Sequence, residues 1–186
     1  MLDKFVSIIW AIIKNPYEYF STQMPKDNFV KEPIIFAAIV SCVSLLPYIF
    51  SLAFYTQPAA AITFFVLLPI LVVAGLYLNS FLVHSLVFLF CPLRSNFKQT
   101  LKVIAYSHAT LAFMVVPVVG VFAASVFQIR SVVFGLSAVH NISALKVLML
   151  FVIIPIIIVL LFTALLIAVF GAMLAPFYTG LISYLG

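Results

Sequence analysis

Among the side chains able to do chemistry inside the apolar part of this sequence, six stand out: Asn79, His84, Tyr106, Ser107, His108 and Arg130. Two imidazoles could ligate a transition metal or pass a proton, and a guanidinium could clamp a phosphate. The hydroxyls and the amide could hydrogen-bond between helices. Their surroundings narrow these options. All four carboxylates, Asp3, Glu18, Asp27 and Glu32, fall within the first 32 residues, and the remaining sequence carries only Arg94, Lys98, Lys102, Arg130 and Lys146 as charges. Proton relays, divalent-cation sites and most acid–base pairs draw on Asp or Glu. His84 and His108 form no HxxxH or Cys/His pair, and no carboxylate stands near to orient an imidazole, so a metal site has little to build on. Serines are plentiful, but neither a Gly-x-Ser-x-Gly elbow with an acidic partner nor a Gly-rich phosphate loop occurs. A protein without enzymatic activity, metal or cofactor is expected.

The elements that position these residues are membrane helices. The chain has 186 residues, 67% of them hydrophobic and 7% charged. Apolar runs well beyond 18 residues mark an integral membrane protein. One membrane domain is expected (34–186), preceded by a cytoplasmic leader and connector (1–33) too short to bury a core of its own. The formal charge of +5 comes from nine scattered basic residues, which suits anionic headgroups and not nucleic acid. Cys42 and Cys91 would lie about 12 Å apart in depth, too far for a disulfide.

In the leader, Phe5, Ile8, Ile9, Ile12 and Ile13 recur at helical spacing between Lys4 and Lys14, with Trp10 alongside. This reads as a short amphipathic helix in the headgroup region. Asp3, the nine-residue limit of the apolar stretch and the lack of a small-x-small site argue against a signal peptide. Asn15-Pro16 breaks the helix, and Tyr17, Tyr19, Phe20 and Met24 form an aromatic cluster suited to docking on the membrane or the bundle. Pro25 to Pro33 reads as a solvated connector.

A first span runs from Ile34 to Thr56 through Pro47, Gln57-Pro58 supplies a turn, and a second apolar run extends from about Ala61 to Cys91. That run exceeds the ~20 residues a bilayer needs, so the helix tilts, kinks near Pro69 or Gly75, or projects beyond the lipid. Arg94, Lys98 and Lys102 crowd one short loop; with four lysines before residue 32 they place the amino terminus and this loop in the cytoplasm. The third span is expected at 101–117 and the fourth at 119–138, joined by an outside turn, Pro117-Val118-Val119-Gly120, in which Gly tolerates the left-handed conformation. Lys146 opens a fifth span through Pro155 to about Ala172, with Phe177, Tyr178 and Tyr184 at the outer interface and the carboxyl terminus outside. Gly171 and Ala175 form a small-x-x-x-small pair suited to close packing. A four-span alternative runs one helix from 101 to 127; it keeps Arg130 out of lipid, saving about 2.5 to 3.5 kcal/mol, but strands Arg130, His140 and Lys146 outside.

Several phrases together resemble the Yip family of five-span membrane proteins, named for interaction with Ypt/Rab GTPases in eukaryotes and also widespread in prokaryotes. They are Asn15-Pro16-Tyr17-Glu18-Tyr19-Phe20 with Met24, Phe97-Lys98-Gln99-Thr100-Leu101 leading to Ala105-Tyr106-Ser107, and Val116-Pro117-Val118-Val119-Gly120. Gly135-Leu136-Ser137, His140, Ile142-Ser143 and Lys146 follow, ahead of an almost wholly apolar final helix. The resemblance implies five spans and a cytoplasmic amino terminus. The sequence departs from it where Arg130 replaces an expected apolar residue. It also departs in missing the long acidic leader of eukaryotic members, which favours a prokaryotic relative in the plasma membrane.

On this topology His84, Tyr106, Ser107, His108 and Arg130 share one layer roughly 8 to 12 Å from the cytoplasmic helix ends, with Asn79 a little deeper. Lipid cannot satisfy polar groups, so the layer faces inward. It serves interhelical hydrogen bonding with Arg130 snorkelling, or a basic pocket for an anionic lipid with Arg130 as phosphate clamp, or a metal or proton site on the histidines. A scaffold or adaptor that binds other membrane proteins, itself or anionic lipid is expected. A small transporter or lipid-handling protein is the alternative.

Overall fold

A computed structural model describes residues 2–25, 27, 29–55, 58–91, 95–153, 155–157, 159–165 and 168. Among them every regular element is a helix. Gln57 of the expected Gln57-Pro58 turn, Arg94, the end of the fifth span, Gly171, Ala175, Phe177, Tyr178, Tyr184 and the carboxyl terminus lie outside the described residues. Among the described residues, four helices are long and apolar enough to cross a membrane: Lys31–Ser51, Ala61–Phe90, Val119–His140 and Ala144–Leu165.

The chain divides into two compact units, Met1–Val147 and Leu148–Gly186. In the first, α1 (Leu2–Lys14) turns Ile12 fully inward and leaves Val6 and Trp10 exposed. It stops where Asn15 leaves the helical conformation (φ −144°, ψ 82°) ahead of Pro16, which has no N–H to continue the ladder. Asn15 then caps the short α2 (Pro16–Glu18), its side-chain oxygen accepting from the Glu18 amide at 3.4 Å. A π-turn, Tyr19–Gln23, follows, closed by the Met24 amide on the Tyr19 carbonyl at 2.8 Å.

Helices α3 (Lys31–Tyr55) and α4 (Pro58–Phe90) form an antiparallel pair, each with a proline inside it. Ile49, Ala61 and Leu68 make the buried seam at one end of the pair, flanked by Cys42, Leu45, Ala53 and Val72. Cys42 and Cys91 are free thiols. The 33 residues of α4 measure about 50 Å against a hydrocarbon core of about 30 Å.

Helix α5 (Phe97–Ser107) is the centre of this unit: Gln99 to Ser107 are buried without exception. Asn96 fixes its start, its side chain accepting from the Gln99 amide at 3.1 Å. The span expected at 101–117 is not one continuous α-helix. After Ser107 it tightens into a 3₁₀ helix, His108–Val115, where side chains occupy carbonyls of the preceding turn. His108 Nδ1 lies 2.9 Å from the Ile104 carbonyl and Thr110 Oγ1 lies 2.9 Å from that of Ser107.

The turn to α6 (Val119–His140) falls where the sequence places it, with a different residue carrying the unusual backbone. Val118 has φ 64° and ψ −73°, and the Val119 amide bonds the Pro117 carbonyl at 2.8 Å, a γ-turn of the rare strained hand. None of the described glycines has positive φ. Gly120 is needed for space instead: a Cβ there would stand 1.9 Å from the Phe113 carbonyl oxygen. Asn141 ends α6 in the left-handed conformation at φ 53°, and the Ser137 hydroxyl donates to the Ile142 carbonyl at 2.6 Å.

Helix α7 (Ala144–Leu148) runs into a π-turn, Met149–Ile153, just before Pro155. A wider turn accommodates a proline whose ring would strike the carbonyl of the previous turn. The described residues of the second unit are helical, and 155–157 and 159–165 are apolar apart from Thr163 and exposed throughout.

Candidate functional site

Most of the polar side chains that join elements of the first unit fall into three arrangements, beside a separate bond from the Thr110 hydroxyl to the Gln128 side-chain oxygen. The first joins the ends of three helices. His84 Nδ1 of α4 lies 2.9 Å from Thr100 Oγ1 in the first turn of α5, and the same hydroxyl lies 2.9 Å from His140 Nε2 at the end of α6. The imidazole centroids are 6.0 Å apart, and Phe97 meets His84 edge-on at 5.7 Å. Thr100 and His140 have no exposed surface. A hydroxyl has one proton, so if Thr100 donates to one ring nitrogen the other must donate to it, and the chain His84–Thr100–His140 has a direction. His140 Nδ1 is buried with no hydrogen-bond partner.

The second arrangement is aromatic. Tyr106 is buried between Tyr19 at 5.6 Å and Phe36 at 5.4 Å, Tyr19 meets Phe20 at 5.3 Å, and Phe5 meets Phe36 at 4.6 Å. The leader therefore covers the face of α5 and α3 that carries Tyr106. Burial, reinforced by the neighbouring Tyr106, holds the Tyr19 phenol far above its ordinary range. Gly135 lets α6 into this packing: a Cβ there would lie 2.6 Å from Val103 Cγ1 and 2.9 Å from Phe20 Cδ2.

The third arrangement is ionic and ties the leader to the helices. Lys102, read from the sequence as a loop cation, is buried to 1% exposure, and its ammonium has three acceptors. They are the Pro25 carbonyl at 2.7 Å, the Asp27 carbonyl at 2.8 Å and Asp27 Oδ1 at 2.6 Å. Gln99, one helical turn earlier, adds a bond to the Asp27 carbonyl at 3.2 Å. The hydrogen-bonded ammonium holds the Asp27 carboxyl below the usual carboxylate range. Arg130 sends Nη1 to the Ile13 carbonyl at 3.0 Å and Nη2 to the Lys14 carbonyl at 3.2 Å, with its guanidinium 6.0 Å from the Phe127 ring centroid. A cation at the carboxyl end of α1 meets the negative end of the helix dipole. The two carbonyls are open because Pro16 and the Asn15 cap end the helical ladder there.

The six residues read from the sequence are therefore dispersed. His84 enters the threonine-bridged chain, Tyr106 the aromatic cluster, and Arg130 the contact with α1. His108 bonds its own helix, Ser107 Oγ is buried without a partner, and Asn79 is exposed on α4. Thr100, His140, Lys102 and Asp27 join them. One signal points to the last pair: since every carboxylate precedes residue 33, a buried cation could find one only in the leader. Among the described residues, no cluster of three or more His, Cys, Asp or Glu could hold a metal.

No curated protein and no solved structure gives a significant match to the chain. The family model of the Yip1 domain matches residues 10–167, from within α1 to the last apolar helix. That range takes in the Asn15-Pro16 break, the aromatic cluster, Lys102, the Pro117–Gly120 turn and Arg130, and the chain belongs to the Yip1 domain family of membrane proteins.

Proposed function

We propose that this protein is a non-enzymatic membrane scaffold or adaptor. In this reading it spans the bilayer five times, with the amino terminus in the cytoplasm and the carboxyl terminus outside, and its cytoplasmic face binds other membrane proteins or anionic lipid. We extend the reading to the plasma membrane of a prokaryote on the sequence resemblance alone. Five spans are supported by length: α5 and the 3₁₀ helix together measure about 32 Å, enough to cross the hydrocarbon core although not as one α-helix. Helix α1 supports an interfacial role, with Ile12 turned inward and Trp10 beside Lys14 outward.

The observation that carries the scaffold reading is the use made of the two cations. Lys102 and Arg130 hold the leader against the bundle through Pro25, Asp27, Ile13 and Lys14. Side chains spent in this way build a fixed surface and do not line a substrate path. Purification in native-like discs followed by mass spectrometry of copurifying material tests this. A protein partner recovered in fixed stoichiometry and lost when residues 1–27 are deleted supports it. Transport of a solute or lipid by the purified protein alone, abolished by His84→Ala, contradicts it and favours the transporter alternative.

A further inference from the structure

We infer that two copies of this chain associate through one face of α4, with Gly75 at the crossing point and the Asn79 amides hydrogen-bonded to each other across it. This stands apart from the scaffold reading, since a dimer is compatible with any function. The starting observation is an amide with nothing to bond. Asn79 is exposed on α4 and no described group hydrogen-bonds it.

The length of α4 keeps Asn79 inside the hydrocarbon in all but the most extreme setting of the helix. The apolar stretch Ala61–Phe90 has 30 residues, and a bilayer takes about 20 of them. Windows running from 61–80 to 71–90 all contain 71–80; Asn79 reaches the edge of the hydrocarbon only in the first of them, and every window that keeps Phe88 and Phe90 in lipid holds it well inside. Lipid offers the amide neither donor nor acceptor.

The surrounding surface suits a second helix. Gly75, one turn earlier, has nothing within 4 Å of where its Cβ would be, so a backbone can approach closely there. Leu71, Leu78 and Leu82 are exposed at 54%, 62% and 53% beside it, giving the apolar flanks of a small-residue crossing. The occupant follows from the chemistry of the amide, which carries both a donor and an acceptor. Two Asn79 side chains related by a two-fold axis along the membrane normal satisfy each other, whereas a purely apolar helix leaves both unsatisfied.

The test uses the full-length protein in lipid bilayers, with Cys42 and Cys91 replaced by alanine. Leu82→Cys, near the proposed axis, forms an oxidative dimer, while Phe81→Cys, exposed on another face of the same helix, does not. In a dilution series in vesicles, Asn79→Leu weakens self-association about tenfold and Asn79→Gln restores most of it, as expected for a pair of interhelical bonds. Gly75→Leu abolishes the dimer while leaving monomer melting unchanged. A wild-type protein that stays monomeric at high density in the bilayer overturns the inference. So does cross-linking from Phe81→Cys equal to that from Leu82→Cys, or an Asn79→Leu variant that associates as tightly as wild type.

Discussion

Replacing Arg130 by alanine removes two charged hydrogen bonds to the last carbonyls of α1 and a positive charge at its negative end. A bond to a charged group contributes about 1.5 to 3 kcal/mol, and a partly buried cation at a helix carboxyl terminus up to about 2 kcal/mol. These terms overlap, because the same guanidinium supplies both. Snorkelling of a released Arg130 to the headgroups returns part of the gain, leaving about 1 to 2 kcal/mol for holding α1 in place. That corresponds to a five- to thirtyfold rise in the undocked population. Ile12, with no exposed surface, supplies the probe. In a background with Cys42→Ala and Cys91→Ala, an Ile12→Cys thiol reacts with a membrane-permeant maleimide only when α1 lifts, and the cost of the cysteine cancels between proteins with and without Arg130→Ala. Labelling should quicken five- to thirtyfold with Arg130→Ala. Arg130→Lys should fall between, since an ammonium keeps the charge but loses the two-point fork. A rate changed less than twofold by Arg130→Ala refutes the idea that this side chain holds the leader.

Gly120→Ala puts a methyl into the Phe113 backbone and should prevent the turn from closing; Gly135→Ala meets side chains and should cost about 1 to 3 kcal/mol, while Val118→Gly relieves the positive φ and should add about 1 kcal/mol, all read by denaturation in detergent. For pH, the folded Asp27 carboxyl lies below its unfolded value, so its contribution is complete above the ordinary carboxylate range near 4 and fades as pH falls through the lowered value. The difference in Tm between wild type and Asp27→Asn should therefore stay level from about pH 8 to 5 and close in stronger acid; a difference that closes nearer neutrality contradicts the pairing. For topology, a reporter fused after Gly186 should be active outside the cell and silent in the cytoplasm, and the reverse contradicts five spans.

What the sequence made legible depended on how local each signal was. Run length alone marks α3, α4 and the apolar helix from Ala144, and Asn15-Pro16 marks the end of α1, because these features need only neighbouring residues. The tightening of the chain after Ser107 was hidden, because it accompanies His108 and Thr110 bonding carbonyls of their own turn, which hydropathy does not register. The turn at Pro117–Gly120 was legible in place but not in detail. Gly120 suggested a backbone role, yet its value is the space it leaves for Phe113, and the strained φ falls on Val118. Lys102 looked like a loop cation beside Lys98; its acceptors lie 75 and 77 residues earlier, beyond the reach of any window. The Thr100 bridge between His84 and His140 depends on helix ends meeting in space and is equally invisible to spacing.

Lys102 and Arg130 fasten the leader to the bundle, and a zero-length carbodiimide cross-link in the wild-type protein tests this most directly at the buried one, Lys102. Asp27 Oδ1 lies 2.6 Å from Lys102 Nζ, and the exposed pair Lys4 with Glu32, at 2.8 Å, serves as the internal control. Peptide mapping should recover an amide between Asp27 and Lys102 alongside the control link. Recovery of the Lys4–Glu32 link with Asp27 coupled only to Lys26, Lys31 or added amine, and never to Lys102, would contradict it.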